Sequence, residues 1–215
     1  MIIENGVLTK IENSDIKKGL VKSDGIEKVV VLPSKVHTIG KNAFFGAVVD
    51  TVVYTKNLKK IEDCAFFNST IEKMHRDDEI VSKGVVSLKD SVEFIGRESF
   101  SKCERILGAK IDSKEIGESA FENCLNLGVV FLGEGVETIN NYAFKNTKLK
   151  FFKMKNTTNL TLGRGLFSFV KNVEDLKLPE IFYKPYVNPN QNEFGEAKGE
   201  VEEGHIFYAT KNEWN

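Results

Sequence analysis

Residue types capable of chemistry crowd most closely in Met74-His75-Arg76-Asp77-Asp78-Glu79. One His, two Asp and one Glu are the groups that hold metal ions or pass protons. Neighbouring residues in a loop point in divergent directions, however, and no second His stands at ligand spacing. The stretch reads as a polar surface loop inside an insertion at about 72–83, where a partner contact is the most it suggests. His37 and His205 are isolated. Cys64, Cys103 and Cys124 show no metal spacing and are too few for a disulfide scaffold. A Gly-rich phosphate loop and a nucleophile elbow are both missing. The expectation is a chain with no catalytic residues, no metal and no cofactor.

Two of the cysteines belong to a larger pattern. Residues 95–103 read Ile-Gly-Arg-Glu-Ser-Phe-Ser-Lys-Cys, and residues 116–124 read Ile-Gly-Glu-Ser-Ala-Phe-Glu-Asn-Cys. Weaker copies end at Phe44, Phe66, Phe144 and Phe167, each with an aliphatic residue five positions earlier. The gaps between the six Phe positions are 22, 34, 21, 23 and 23 residues. A period of this size marks a solenoid, whose units bury a face only by stacking on each other. The fullest unit runs Leu127-x-x-Val130-x-Leu132-x-x-x-Val136-x-x-Ile139-x-x-x-Ala143-Phe144.

That frame dictates local structure. Val-x-Leu alternates with period two, so each unit opens with a short strand whose named residues point inward. Turn residues follow, as in Pro33-Ser34 and Gly133-Glu134-Gly135. The Ile-Gly…Ala-Phe segment returns the chain along the other side, where a small residue beside each Phe lets rings stack coil on coil. Three residues past each Phe stand Ala47, Ser69, Cys103, Cys124, Thr147 and Val170, which implies a tight inward site. Parallel side chains on adjacent coils make buried free thiols, not a disulfide, the expected state of Cys103 and Cys124. The expected fold is a mostly β, right-handed solenoid of about seven short repeats with a parallel sheet, capped at both ends.

The strands' outward positions carry Val29, Val31, Val53, Val85, Val129, Phe131 and Phe151. Strand propensity explains part of this. Exposed together, these seven would form an apolar face of the kind that marks an interface, with a protein partner or a second copy.

The ends are read as caps. Residues 1–25 contain Gly6-Val7-Leu8-Thr9-Lys10-Ile11 and a second apolar stretch at 16–21, which together suggest one hairpin over the open sheet edge. The solenoid occupies 26–179. Residues 180–215 hold seven aromatics, Trp214 among them, around a stretch with Glu193, Glu196, Glu200, Glu202 and Glu203. They read as a C-terminal cap with an acidic loop. Tyr183, Tyr186 and Trp214 also suggest a carbohydrate- or cell-wall-binding module as the alternative function.

Bulk properties exclude other classes. The 215 residues carry a net charge of −1, so nothing draws the chain to nucleic acid in general. The run Lys145, Lys148, Lys150, Lys153 and Lys155 reads as a solvated edge, because no aromatic platform is arranged for base stacking. No apolar run is long enough to insert in a membrane, and Met-Ile-Ile-Glu-Asn-Gly lacks the regions of a signal peptide. The three glycosylation sequons, at Asn68, Asn156 and Asn159, matter only in a eukaryotic secretory route.

The unit at 127–144, together with Ser91-Val92-Glu93-Phe94-Ile95-Gly96 and Phe100-Ser101-Lys102-Cys103, resembles the BspA-type leucine-rich repeat family over about residues 26–179. That resemblance implies a leucine-rich-repeat solenoid without catalytic residues. It also implies a secreted or cell-surface protein that binds host proteins or other cells, while the absent signal peptide points the other way. The expected role is a non-enzymatic recognition scaffold that uses its sheet face.

Overall fold

The computed structural model describes residues 1–22, 25–156, 160–171, 173, 176 and 178. Each repeat folds as its alternation dictates: a four-residue strand, a turn, a two-residue strand, and a second turn that carries the Phe. The chain opens with β1 (Ile2–Glu4) and β2 (Val7–Lys10), then β3 (Lys17–Lys22) and β4 (Gly25–Val31). Coils follow as β5 (Thr38–Ile39), β6 (Thr51–Tyr54), β7 (Lys60–Ile61), β8 (Lys73–Arg76), β9 (Val85–Leu88) and β10 (Phe94–Ile95). The last six strands are β11 (Gly108–Ile111), β12 (Glu115–Ile116), β13 (Val129–Leu132), β14 (Thr138–Ile139), β15 (Phe151–Met154) and β16 (Thr161–Leu162).

Two eight-stranded sheets result. One runs β3-β4-β6-β8-β9-β11-β13-β15, the other β1-β2-β5-β7-β10-β12-β14-β16. Beyond the N-terminal hairpins every pairing is parallel and in register, with Val130 opposite both Ala109 and Phe152. Between the sheets Val30, Val52, Met74, Val86, Ala109, Val130 and Phe152 form one buried column, and Ile39, Ile61, Ile95, Ile116 and Ile139 form a second.

The third column is the phenylalanine ladder. Phe44, Phe66, Phe100, Phe121, Phe144 and Phe167 stack in sequence, with ring centroids 4.6, 5.0, 5.1, 5.7 and 6.2 Å apart. Interplanar angles of 5–16° keep the rings nearly parallel. Left-handed residues bracket each ring: two positions before it stand Asn42, Cys64, Glu98, Ser119, Tyr142 and Gly165, and two positions after it Gly46, Asn68, Lys102, Asn123, Asn146 and Phe169. Such backbone is costly for most side chains. It persists because the amides of these turns bond to the next coil, as Phe66 N to Ser99 O (2.7 Å) and Phe100 N to Ala120 O (2.8 Å). The turns therefore form a hydrogen-bonded ladder of their own.

Two local expectations are corrected. The apolar stretches near the N-terminus do not pair with each other. β2 pairs antiparallel with β1 and parallel with β5, placing Leu8 on the Ile39 column, whereas β3 pairs antiparallel with β4. A solenoid has two sheet edges at its end, and each takes its own hairpin. The region 72–83 is not simply a loop either. Ile71 and Met74, both fully buried, occupy inward slots of the repeat frame, so Lys73–Arg76 adds a strand between β6 and β9. No strand accompanies it in the other sheet, where β7 pairs directly with β10. The inserted unit is thus half a coil. Among the described residues there are six complete turns, and Val173, Leu176 and Leu178 lie buried beyond the last. Among the described residues no helix is long and apolar enough to cross a membrane.

Candidate functional site

The residues singled out for chemistry are engaged in the scaffold. The Arg76 guanidinium donates to Asp78 (2.6 and 2.9 Å) and to Asp90 (3.3 Å), which holds the Asp78 carboxyl below its ordinary range. Glu79 accepts from Ser87 Oγ at 2.9 and 3.1 Å and pairs with Lys89 at 3.7 Å. His75 Nδ1 lies 2.8 Å from the Arg76 carbonyl. His37 bridges Thr38 Oγ1 (3.0 Å) and the Asn5 carbonyl (2.9 Å), tying the first hairpin's turn to the solenoid. Among the described residues no three His, Cys, Asp or Glu side chains gather as a metal site. His205 lies outside the described residues.

Cys103 and Cys124 are free and fully buried. Each thiol donates to the carbonyl of the preceding coil's Phe, Cys103 to Phe66 O and Cys124 to Phe100 O, both at 3.0 Å. Burial pushes the Cys103 thiol up to about 12 and Cys124 well above the ordinary thiol range, so neither is a nucleophile.

The surviving candidate is the outer face of the longer sheet. Val31, Val129, Phe131 and Phe151 are 44, 36, 40 and 46% exposed. Val29, Val53 and Val85 are half-buried. The seven do not form one continuous apolar surface. His75 stands opposite Val53 on the strand the repeat count omits, and Lys73 stands opposite Thr51. Residues 77–84 then return across this face, because no strand on the far side accepts them, and their Glu79 covers Ser87, which is 1% exposed. The strap carries Ile80, fully exposed. It separates an N-terminal patch of Val29, Val31 and Val53 from a C-terminal patch of Val129, Phe131 and Phe151. In the latter the Phe131 and Phe151 rings meet at 5.2 Å with a 47° tilt.

A further apolar feature escaped the sequence. On the turn side Phe45 stacks on Phe67 at 5.2 Å, with Lys102 Nζ 5.1 Å from the Phe67 ring centre. Phe45 is 55% exposed and Val48 53%. A groove of about 630 Å³ runs from them to Ile11 and Ile26. The signal was the Phe-Phe doublet that recurs one coil apart at 44–45 and 66–67. Tyr183, Tyr186 and Trp214 lie outside the described residues, as does the acidic stretch.

This arrangement defines a class of protein: a parallel β-solenoid built from one stacked repeat. Six copies of the BspA type leucine rich repeat region match residues 14–85 and 81–186, and the chain belongs to that family. No curated protein sequence matches it. Among solved structures it is similar to a leucine-rich cell surface protein of Faecalibacterium prausnitzii, with 19% identity, TM-score 0.44, and 74% of this chain on 52% of that one. A leucine-rich repeat protein of T. pallidum gives 21% identity, TM-score 0.46, and 76% of this chain on 92% of that one. The pneumococcal vaccine antigen PcpA gives 16% identity, TM-score 0.45, and 80% on 42%. The match thus spans about half of the Faecalibacterium chain and less than half of PcpA.

Proposed function

We propose that the chain is a non-enzymatic recognition scaffold of the adhesion or host-interaction type, which binds a protein partner through the outer face of its longer sheet. Membership of the BspA type leucine rich repeat family supports a protein-interaction module. The observation that carries the reading is the C-terminal patch. Val129, Phe131 and Phe151 sit on adjacent strands, exposed at 36, 40 and 46%, where a merely solvated sheet face alternates to polar residues. In a solenoid such a row is held at fixed spacing by the coils beneath it, so recognition rests on geometry and not on a reactive group.

The test starts with capture of candidate host matrix proteins by the intact chain. Val53→Lys and Phe131→Lys are then compared with wild type. Association should fall at least tenfold for Phe131→Lys, the more exposed position. Unchanged association with both variants would remove the sheet face from consideration.

A further inference from the structure

We propose, resting on the recognition role above, that the C-terminal half of the outer face takes an acidic segment of a protein partner, with carboxylates flanking an apolar side chain. Lys110, Phe131 and Lys153 are register partners on β11, β13 and β15. The two lysines therefore lie two rungs apart, roughly 10 Å, with an aromatic ring between them. One row over, Val129 and Phe151 continue the apolar floor. All five side chains are exposed.

The positive charge here is uncompensated, unlike that elsewhere on the face. Lys73 pairs with Glu27 at 3.6 Å and Lys89 with Glu79 at 3.7 Å. Within the basic run Lys145 is 3.0 Å from Glu122, Lys155 is 3.7 Å from Glu134, and Lys148 reaches the Asn126 side chain at 3.4 Å. Lys110, Lys150 and Lys153 have no carboxylate at ion-pair distance among the described residues. Two open cations, Lys110 and Lys153, flanking three apolar side chains fit carboxylates interleaved with aliphatic or aromatic groups.

The same charges disfavour other occupants. A two-fold dimer through this patch would set its lysines against their own copies, at a repulsive cost. A polyanion such as nucleic acid or an anionic bilayer is gripped by larger cation clusters and by net positive charge, and this chain carries −1 overall.

The experiment selects a random displayed peptide library on the full-length chain, then measures each selected peptide by fluorescence anisotropy. The proteins compared are wild type, Lys110→Glu/Lys153→Glu and Phe131→Lys/Phe151→Lys, each checked for folding by circular dichroism. Selected peptides should carry paired acidic residues around an apolar one. They should weaken about tenfold or more on the charge-reversed variant and on Glu→Gln exchange in the peptide. Peptides without acidic bias that lose binding only to the Phe131→Lys/Phe151→Lys variant would overturn the acidic partner while leaving the sheet-face role intact. Peptides indifferent to both variants would overturn both. Binding to phosphatidylserine vesicles that depends on Lys110 and Lys153 would overturn the protein partner, as would a wild-type dimer that Phe131→Lys dissolves.

Discussion

Single residues show how the repeat is enforced. Phe100 is fully buried between Phe66 and Phe121, at 5.0 and 5.1 Å, so it touches a ring on both sides. Phe100→Ala should cost about 3–5 kcal/mol in denaturant unfolding, because it opens a cavity and breaks two stacked contacts. Tyr54 is the residue that the coil count alone does not explain. It is fully buried, donates to the Ser87 carbonyl at 3.0 Å and accepts from Lys89 N at 3.2 Å. Its ring reaches past β8, where Arg76 stands in place of the usual inward apolar residue. Burial raises its phenol to about 12 from an ordinary value of 10.0. Below pH 10 the phenol is neutral in folded and unfolded chains alike. Between 10 and about 12 only the unfolded phenol ionises, so this contribution to stability, roughly 3 kcal/mol, is lost as pH rises through that window. Tyr54→Phe should lose about 1 kcal/mol at neutral pH and show a shallower fall than wild type over the alkaline range. Parallel alkaline slopes for the two proteins would contradict this account of Tyr54.

Elements divide into those visible in the sequence and those that are not. The coils were legible because Ile and Phe recur at fixed spacing and each aligned residue reports the same inward slot. β8 was not, because only Ile71 and Met74 mark it, and its second inward slot is served by Tyr54 from the strand before. Missing that strand also hid the division of the outer face, since His75 and the 77–84 strap fall between the two apolar patches. The N-terminal cap was mistaken as one hairpin because pairing depends on where the two edges lie, which local sequence does not encode. Arg105 fastens the half coil: it donates to Asp50 at 2.5 Å and to Glu72 at 2.8 Å, joining the starts of β6 and β8. The half coil itself is dispensable on geometry, since Phe66 already stacks on Phe100 and β7 already pairs with β10. Deleting 73–84 with Tyr54→Leu restores a 22-residue gap and should leave one cooperative unfolding transition with a β-type circular dichroism spectrum. Loss of cooperativity would show that the half coil holds the two halves together.

At the scale of the whole molecule, the recognition role proposed above has two apolar surfaces to choose between: the outer sheet face, and the turn-side groove around Phe45 and Val48. Both are exposed, but among the described residues only the sheet face sets its apolar residues in register on successive strands. The decisive measurement is the affinity of a captured protein partner for two variants of the intact chain. One carries Phe131→Lys and Phe151→Lys, the other Phe45→Lys and Val48→Lys. The outer-face variant should bind at least tenfold more weakly than wild type while the turn-side variant binds as wild type. The opposite pattern, loss only with the turn-side variant, would contradict the assignment.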